Sequence, residues 1–266
     1  MIKKILKRLG YGSASSATGE QQVDIDGARL PENIRAYAIG DIHGRRDLLE
    51  TLLKSILTDA AKYPESEKQL IYLGDYVDRG PESRETIDTI LQPLPAGFSR
   101  ITLMGNHEEA MLGFLADPVE GAAWLQFGGA ETLLSYGVSM PPGIPTPSKL
   151  RQIGKALQDA LPQEHLEFFA QLKDTHILGD YMFVHAGISP ERPLTRQRPE
   201  DLRWIRDAFL THGDLYGKVI VHGHTITESW EFHPNRIGVD TGAYFSGQLT
   251  CLALRDGERE ILHTKR

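Results

Sequence analysis

The chain has 266 residues, 40% hydrophobic and 24% charged, with a formal net charge of -7. That composition suits one large globular domain with its own core. It gives no global basic field, which argues against duplex nucleic acid as a partner. Cys251 is the only cysteine, so no intrachain disulfide can form, in keeping with a reducing cytoplasmic setting.

The start, Met1 to Leu9, is basic and amphipathic but lacks the apolar core of a secretory signal. It reads as a solvated arm capable of weak peripheral contact with an anionic membrane, followed by a Gly/Ser/Ala linker from Gly10 to Gly19. No run approaches the roughly 20 apolar residues of a membrane span. Residues 1–33 are therefore expected to be a flexible arm and linker, with the folded domain at 34–266.

From Arg35 the pattern alternates. Arg35 to Ile39, Gln69 to Leu73 and Ile101 to Met104 are strand-like; Leu48 to Ala61, Ser83 to Leu91 and Glu108 to Leu115 have helical spacing. Strand, loop and helix in alternation predict βαβ units, with polar sites at the strands' carboxyl ends. Asp41 and His43 lie two apart, which in extended backbone would point both to one side. Residues 113–174 read as a helical insertion, broken by the proline-rich stretch Pro141 to Pro147, which is expected to form a loop over the site. From Thr175 the character turns to β: Thr175 to Leu178, Tyr181 to His185, Val219 to Val221, Trp230 to His233, Ile237 to Val239, Gln248 to Leu254 and Arg259 to His263. These predict a second, mostly antiparallel sheet packed on the first. The fold class expected is α/β, a four-layer α/β-β/α sandwich with a helical insertion.

Five polar motifs stand where apolar runs end: Gly40-Asp41-Ile42-His43-Gly44, Gly74-Asp75-Tyr76-Val77-Asp78-Arg79-Gly80, Gly105-Asn106-His107-Glu108, His185-Ala186-Gly187 and Gly223-His224-Thr225. Together they offer two carboxylates, one amide and three imidazoles for two hard or borderline cations, without thiolate. Asp75, central in the chain order, is the natural bridge. Two cations about 3.5–4 Å apart would bring a bridging water towards neutral pKa, a hydroxide nucleophile that needs no Ser or Cys. Arg79 can fork onto two phosphoryl oxygens. His107 can protonate the leaving oxygen, with Asp78 fixing its tautomer. Lone histidines such as His165, His176, His212, His233 and His263 read as surface or satisfied core, and Cys251 as a buried structural thiol.

These motifs resemble the phosphoprotein phosphatase (PPP) family of calcineurin-like metallophosphoesterases, in the compact bacterial and bacteriophage lambda form, over about Ile34 to Leu254. The resemblance implies Asp41, His43 and Asp75 on one metal, with Asp75, Asn106, His185 and His224 on the other. It prefers His224 to His222 as the ligand. It further implies a second phosphate-binding arginine, Arg206 in Trp204-Ile205-Arg206-Asp207, with Arg203 as fallback. Asp240-Thr241-Gly242-Ala243 resembles the phage-type pattern and reads as a loop supporting the site. His-Ala-Gly departs from the eukaryotic His-Gly-Gly. The expected cofactors are two divalent ions, Mn²⁺ first, with Fe, Zn, Co and Ni admissible.

The expected activity is phosphomonoester hydrolysis on phosphorylated Ser/Thr of a protein or peptide, with tolerance of Tyr or His, by direct attack of the bridging hydroxide. The alternative is hydrolysis of dinucleoside polyphosphates such as diadenosine tetraphosphate. Because symmetrical hydrolases of that kind usually lack the Asp at position 78, Asp78 favours the protein phosphatase. A third reading, an inactive phosphate-binding module, predicts a lost ligand, and all are present.

Overall fold

The computed structural model describes residues 22–264. The expected arm, Met1 to Leu9, and the linker to Gly19 lie outside the described residues. The first half alternates: β1 (Ile34–Ile39), α1 (Arg46–Ala60), β2 (Glu67–Tyr72), α2 (Ser83–Leu91), β3 (Phe98–Thr102) and α3 (Asn106–Ala116). β1, β2 and β3 pair in parallel, so their carboxyl ends share one edge.

The following segment is helical: a 3₁₀ helix at Glu120–Phe127, then α4 (Gly129–Ser135), α5 (Pro147–Ala160) and α6 (Gln163–Gln171). Pro147 ends the proline-rich stretch and also begins α5, where its missing N–H costs nothing. Thr146 caps that helix by accepting from the Lys149 amide.

The remainder holds β4 (Thr175–Leu178), β5 (Tyr181–Val184), α7 (Pro199–Trp204), α8 (Asp207–Leu210), β6 (Val219–His222), β7 (Glu231–Phe232), β8 (Arg236–Gly238), α9 (Ala243–Ser246), β9 (Thr250–Arg255) and β10 (Glu258–His263). The sheet orders are β10-β9-β1-β2-β3 and β4-β5-β6-β8-β7.

Here the structure corrects one expectation. The second sheet is mixed, because β5, β6 and β8 run parallel while β4 and β7 flank them antiparallel. Only the short Gly179-Asp180 and 233–235 connections permit hairpins; the long connections 185–218 and 223–235 are crossovers, which parallel neighbours require. β9 and β10 instead extend the first sheet. Cys251, Leu252, Ala253 and Leu254 are all fully buried, and a place beside β1 covers both faces of that continuous apolar run.

Strand periodicity builds the layers. Ala36, Ala38, Ile71, Leu73, Leu252 and Leu254 face Tyr181, Phe183, Val219, Val221 and Ile237 across the sheet interface. The alternate residues Tyr37, Ile39, Leu70, Tyr72 and Cys251 meet Leu49, Leu52 and Ile56 of α1 and the other helices of the first half. On the far side, Met182, Val184 and Ile220 pack on Leu202 and Phe209 of α7 and α8. The result is helices, sheet, sheet, helices, the four-layer α/β architecture expected.

The boundary at residue 33 lies too late. Ala28 and Leu30 are buried in the inter-sheet core. The Ile25 amide donates to Pro234 O at 2.8 Å, and the Leu30 amide to Asp256 O at 2.9 Å. Among the described residues, no helix is long and apolar enough to cross a membrane.

Candidate binuclear metal centre and active site

The five motifs converge on one rim, in the loops after β1, β2, β3, β5 and β6. Building that rim strains the backbone. Among the described residues seven non-glycine residues have positive φ, and five of them, His43, Asp75, Asp78, Arg79 and His224, stand here. Such strain clusters where function over-determines geometry. His43, at φ 48°, is not extended, so the alternation argument for Asp41 and His43 fails; a turn, not a pleat, places them together. Gly74 shows why glycine is needed: at φ 110° a Cβ there would lie 2.8 Å from Gly105 Cα and from His185 Nδ1.

Asp75 is the centre. Its Oδ1 lies 3.4 Å from His185 Nε2, and its Oδ2 lies 3.5 Å from His43 Nε2. Two groups of three side chains could hold a cation, His43-Asp75-His107 and Asp75-His185-His224, with ligand atoms within 4.8 Å of one another. Asp75 belongs to both, as the bridging expectation requires. Burial alone would raise its carboxyl, but His185, His107, His43 and His224 hold it well below the usual carboxylate range.

A fit to cations follows from the lone pairs. His185 Nδ1 donates to Leu73 O at 2.9 Å, so its Nε2 carries a lone pair, yet that atom faces Asn106 Oδ1 at 2.9 Å. His43 Nδ1 likewise donates to Val77 O at 2.9 Å, which aims its Nε2 lone pair at Asp75. Backbone carbonyls thus fix both tautomers, the usual support of metal-bound imidazole. His224 Nδ1 is 2.8 Å from the same Asn106 Oδ1, and its buried Nε2 has no hydrogen-bond partner. Acceptors facing acceptors are reconciled by a cation. Burial also keeps these rings neutral, pushing His43 down to about 3 and His224 down to about 2 and lowering His185.

Asp41 accepts the His224 amide on both oxygens, at 3.2 and 3.0 Å. Burial, then the neighbouring Asp240 and Asp75, push its carboxyl well up, and it hydrogen-bonds Asp240. Three buried carboxyls side by side form a second signature of a cation site.

His107 could complete the first group of three, but its nitrogens are engaged elsewhere. Nδ1 lies 2.7 Å from Asp78 Oδ2, and Nε2 lies 3.0 Å from Arg79 Nη2. The Arg79 guanidinium donates to Nε2 and so occupies the lone pair that a metal would need. Burial lowers the ring's proton affinity, but Asp75 and Asp78 outweigh it and raise His107 above its ordinary value. Asp78 is itself fixed: Trp124 Nε1 donates to Oδ2 at 2.8 Å and Thr132 Oγ1 to Oδ1 at 2.6 Å. These contacts come from residues 124–132, so it is this part of the helical segment that meets the site.

Arg206 is exposed and stands between α7 and α8, at the start of the latter rather than within a helix. Its Nη1 lies 3.3 Å from Thr225 Oγ1, and its charge helps lower His185 and His224. It therefore flanks the second ligand group. Arg203, the fallback, is buried and tied to Glu109 at 2.6 Å and Asp174 at 2.5 Å, which leaves it a structural cation.

Four residues escaped sequence reasoning. Trp124 and Thr132 carry no motif. Tyr244 lies under the Arg79 guanidinium, 4.7 Å from its carbon, and meets the His43 ring edge-on at 5.5 Å. Glu108, quoted in the third motif without a role, accepts from the amides of Tyr76 (2.7 Å), Asp75 (2.9 Å), Gly105 (3.1 Å) and Val77 (3.2 Å). Burial beside Asp75 pushes its carboxyl up to about 8, against the N–H groups, which favour the charged form. His222, by contrast, packs as expected, its Nδ1 3.1 Å from Gly223 O and its ring edge-on to Phe209.

Comparison with known proteins places the chain. The family model for calcineurin-like phosphoesterases matches residues 34–247. Bis(5'-nucleosyl)-tetraphosphatase PrpE [asymmetrical] of Anoxybacillus flavithermus is 25% identical over 237 residues, 80% of this chain and 88% of that protein. The protein of the same name from Bacillus subtilis is 25% identical over 242 residues, 80% and 87% of the two chains. A crystal structure described as a putative diadenosine tetraphosphatase superposes with a TM-score of 0.53 at 19% identity, covering 89% of this chain and all of that one. With its match spanning all five motifs, this chain belongs to the calcineurin-like phosphoesterase family.

Proposed function

We propose that the chain hydrolyses dinucleoside polyphosphates, cleaving a tetraphosphate unequally into a nucleoside monophosphate and a nucleoside triphosphate. The observation that carries this reading is the near full-length match to the PrpE relatives, all of which bear that activity in their names. The protein Ser/Thr phosphatase expected from the lambda-type resemblance gives way to it. Asp78 had favoured the phosphatase, but its contact is with His107, a general acid open to either leaving group, and so the presence of Asp78 does not separate the two readings.

Two divalent cations, Mn²⁺ in this proposal, would be held by Asp41, His43, Asp75, Asn106, His185 and His224. When bound they supply phosphoryl charge neutralisation and a nucleophile from water near neutral pH. The chain's own residues do the rest. Arg79 forks onto phosphoryl oxygens, with Tyr244 beneath it to fix its plane. Arg206, at the opposite flank, meets further phosphate charge. His107 delivers a proton from Nε2 to the departing oxygen while Asp78 holds Nδ1. Water adds to phosphorus as the phosphoanhydride P–O bond breaks; the electron pair leaves with the oxygen that His107 protonates, while the water's proton passes to solvent and His107 regains one from it. A cytoplasmic setting accords with this substrate.

The test compares initial rates on diadenosine tetraphosphate and on a phosphoserine peptide with Mn²⁺, with products resolved by chromatography. AMP and ATP in equal amounts, at a kcat/KM well above that for the peptide, are expected. A preference for the peptide would return the protein phosphatase reading.

A further inference from the structure

Beside Arg79 lies a cleft of about 470 Å³ lined by Leu125, Gln126, Phe127, Ala130, Glu131 and Tyr244. It is continuous with the catalytic rim, since the guanidinium that lies over Tyr244 also touches His107. A substrate whose phosphate meets Arg79 extends directly into it.

The cleft's walls suit a flat, uncharged group. Phe127 is 60% exposed, although an aromatic ring ordinarily finds cover. Tyr244 is only partly covered by its own contacts. Gln126 and Glu131 are exposed at the rim; an amide can pair with a heterocycle edge, and a carboxylate repels additional phosphate. The polyphosphate chain is thus directed away from this cleft and towards Arg206.

The cleft is also rigidly indexed to the chemistry. The Arg79 amide donates to Gly128 O at 3.2 Å, the residue next to Phe127. Gly128 has φ 107°, and a Cβ there would strike Arg79. Trp124 and Thr132 on either side bind Asp78. The wall of the cleft and the seat of His107 are therefore one unit.

We infer that this cleft binds the nucleoside joined to the attacked phosphoryl group, its base stacked on Phe127 with its edge towards Gln126. The inference rests on the nucleotide reading above and names the residues that select the substrate. Stacking of a base on an aromatic ring contributes enough that truncation costs tenfold or more in affinity.

Two measurements on the full chain reconstituted with Mn²⁺ separate the cleft from the wider activity. Calorimetric titration with AMP and with inorganic phosphate is expected to show AMP at least tenfold tighter, the preference lost in Phe127→Ala and restored in Phe127→Trp. Steady-state kinetics are expected to show KM for diadenosine tetraphosphate raised tenfold or more in Phe127→Ala, with p-nitrophenyl phosphate turnover unchanged within twofold. Phe127 is exposed, so its loss leaves the core intact, as a thermal melt within a few degrees of wild type will verify. If AMP binds no better than phosphate, or if Phe127→Ala leaves both AMP affinity and KM unchanged, the inference falls. If AMP preference depends on Phe127 while the tetraphosphate is not cleaved, the cleft stands and the proposed activity fails. If turnover of a phosphoserine peptide, and not AMP affinity, depends on Phe127, the cleft serves a peptide and the inference is overturned.

Discussion

Asp78 Oδ2 stands 2.7 Å from His107 Nδ1 and through that contact joins the general acid to the helical segment. Trp124 and Thr132 reach Asp78 from that segment, so the loop after β2, the start of α3 and the residues at 124–132 position one imidazole among them. Replacing Asp78 by Asn keeps the size but loses the charge. We expect kcat for an alkyl phosphate to fall by about 10²-fold. The sign of the pH effect is fixed. Asp75 and Asp78 raise His107, an acid must be protonated to act, and so activity is lost as pH climbs through that raised value. Removing Asp78 moves the alkaline limb to lower pH. A pH–rate profile of Asp78→Asn with the limb unmoved would separate the pair.

His107→Asn should discriminate between substrates. An alkoxide leaving from phosphoserine needs its proton far more than does a nucleotide leaving from an anhydride, because the latter is a much weaker base. Loss of the acid should therefore cost about 10²–10⁴-fold on the phosphopeptide, and at least tenfold less on diadenosine tetraphosphate. Single-turnover rates on both substrates measure this. Equal losses would show that His107 acts on something common to both, such as phosphate binding with Arg79.

Glu108 predicts a stability effect. Its carboxylate takes four backbone amides and is fully buried. Glu108→Gln turns an amide donor towards some of those N–H groups and leaves them unsatisfied. A cost of about 2–4 kcal/mol is expected, which for a chain of this size lowers Tm by roughly 5–10 °C. Because those amides belong to Gly105 and Asp75 to Val77, metal affinity should fall with it. Differential scanning calorimetry with and without Mn²⁺ reads both, and a wild-type Tm would contradict the role.

Much of this was legible in advance, for identifiable reasons. The βαβ half was readable because α1, α2 and α3 have apolar spacing and β1, β2 and β3 end in glycine motifs. The gathering of the candidate ligands on one rim was readable because each motif sits where its strand stops. What stayed hidden depends on partners distant in sequence. Asp78 was readable as the partner of His107, but Trp124 and Thr132, which hold it, stand 46 and 54 residues away, and Tyr244 shows a role only when Arg79 folds over it. The direction of the second sheet was missed because Val219 to Val221 reads alike in parallel and antiparallel sheets; only the crossover at 185–218 decides. The β9 run was assigned to the wrong sheet because its neighbours, not its own residues, determine which faces are covered.

Outside the site, Asp59 sets an acid limit. Arg35, whose side chain is fully buried, contacts it at 2.7 Å, and the Tyr37 hydroxyl donates to it at 2.9 Å. Burial would raise Asp59, but Arg35, Tyr37 and Lys62 outweigh it and hold the carboxyl below its ordinary value. A depressed folded pKa contributes stability above the unfolded value of about 3.9, lost as pH falls through the folded one. Asp59→Asn should therefore weaken the fold at neutral pH by about 3 kcal/mol, since it leaves Arg35 with only Glu260. It should also flatten the acid side of a plot of stability against pH. Urea titrations from pH 3 to 7 give that plot; parallel curves for the two proteins would place the acid limit elsewhere.

Asp75 and His224 differ in how many ions they can hold, and that difference is measurable. Asp75 belongs to both groups of candidate ligands, His224 to one. Metal removal by chelation should abolish activity and lower Tm, since a ligand at 100 times its Kd stabilises by about 2.7 kcal/mol. On adding back Mn²⁺, wild type should take up two ions per chain by elemental analysis. His224→Ala removes the ring whose Nε2 is buried without a partner, and should keep the His43 side and bind one. Asp75→Asn should retain neither tightly, because the shared carboxylate supplies the charge that both positions need. Two ions on Asp75→Asn would mean that the sites do not share this residue, and the bridging arrangement would have to be abandoned.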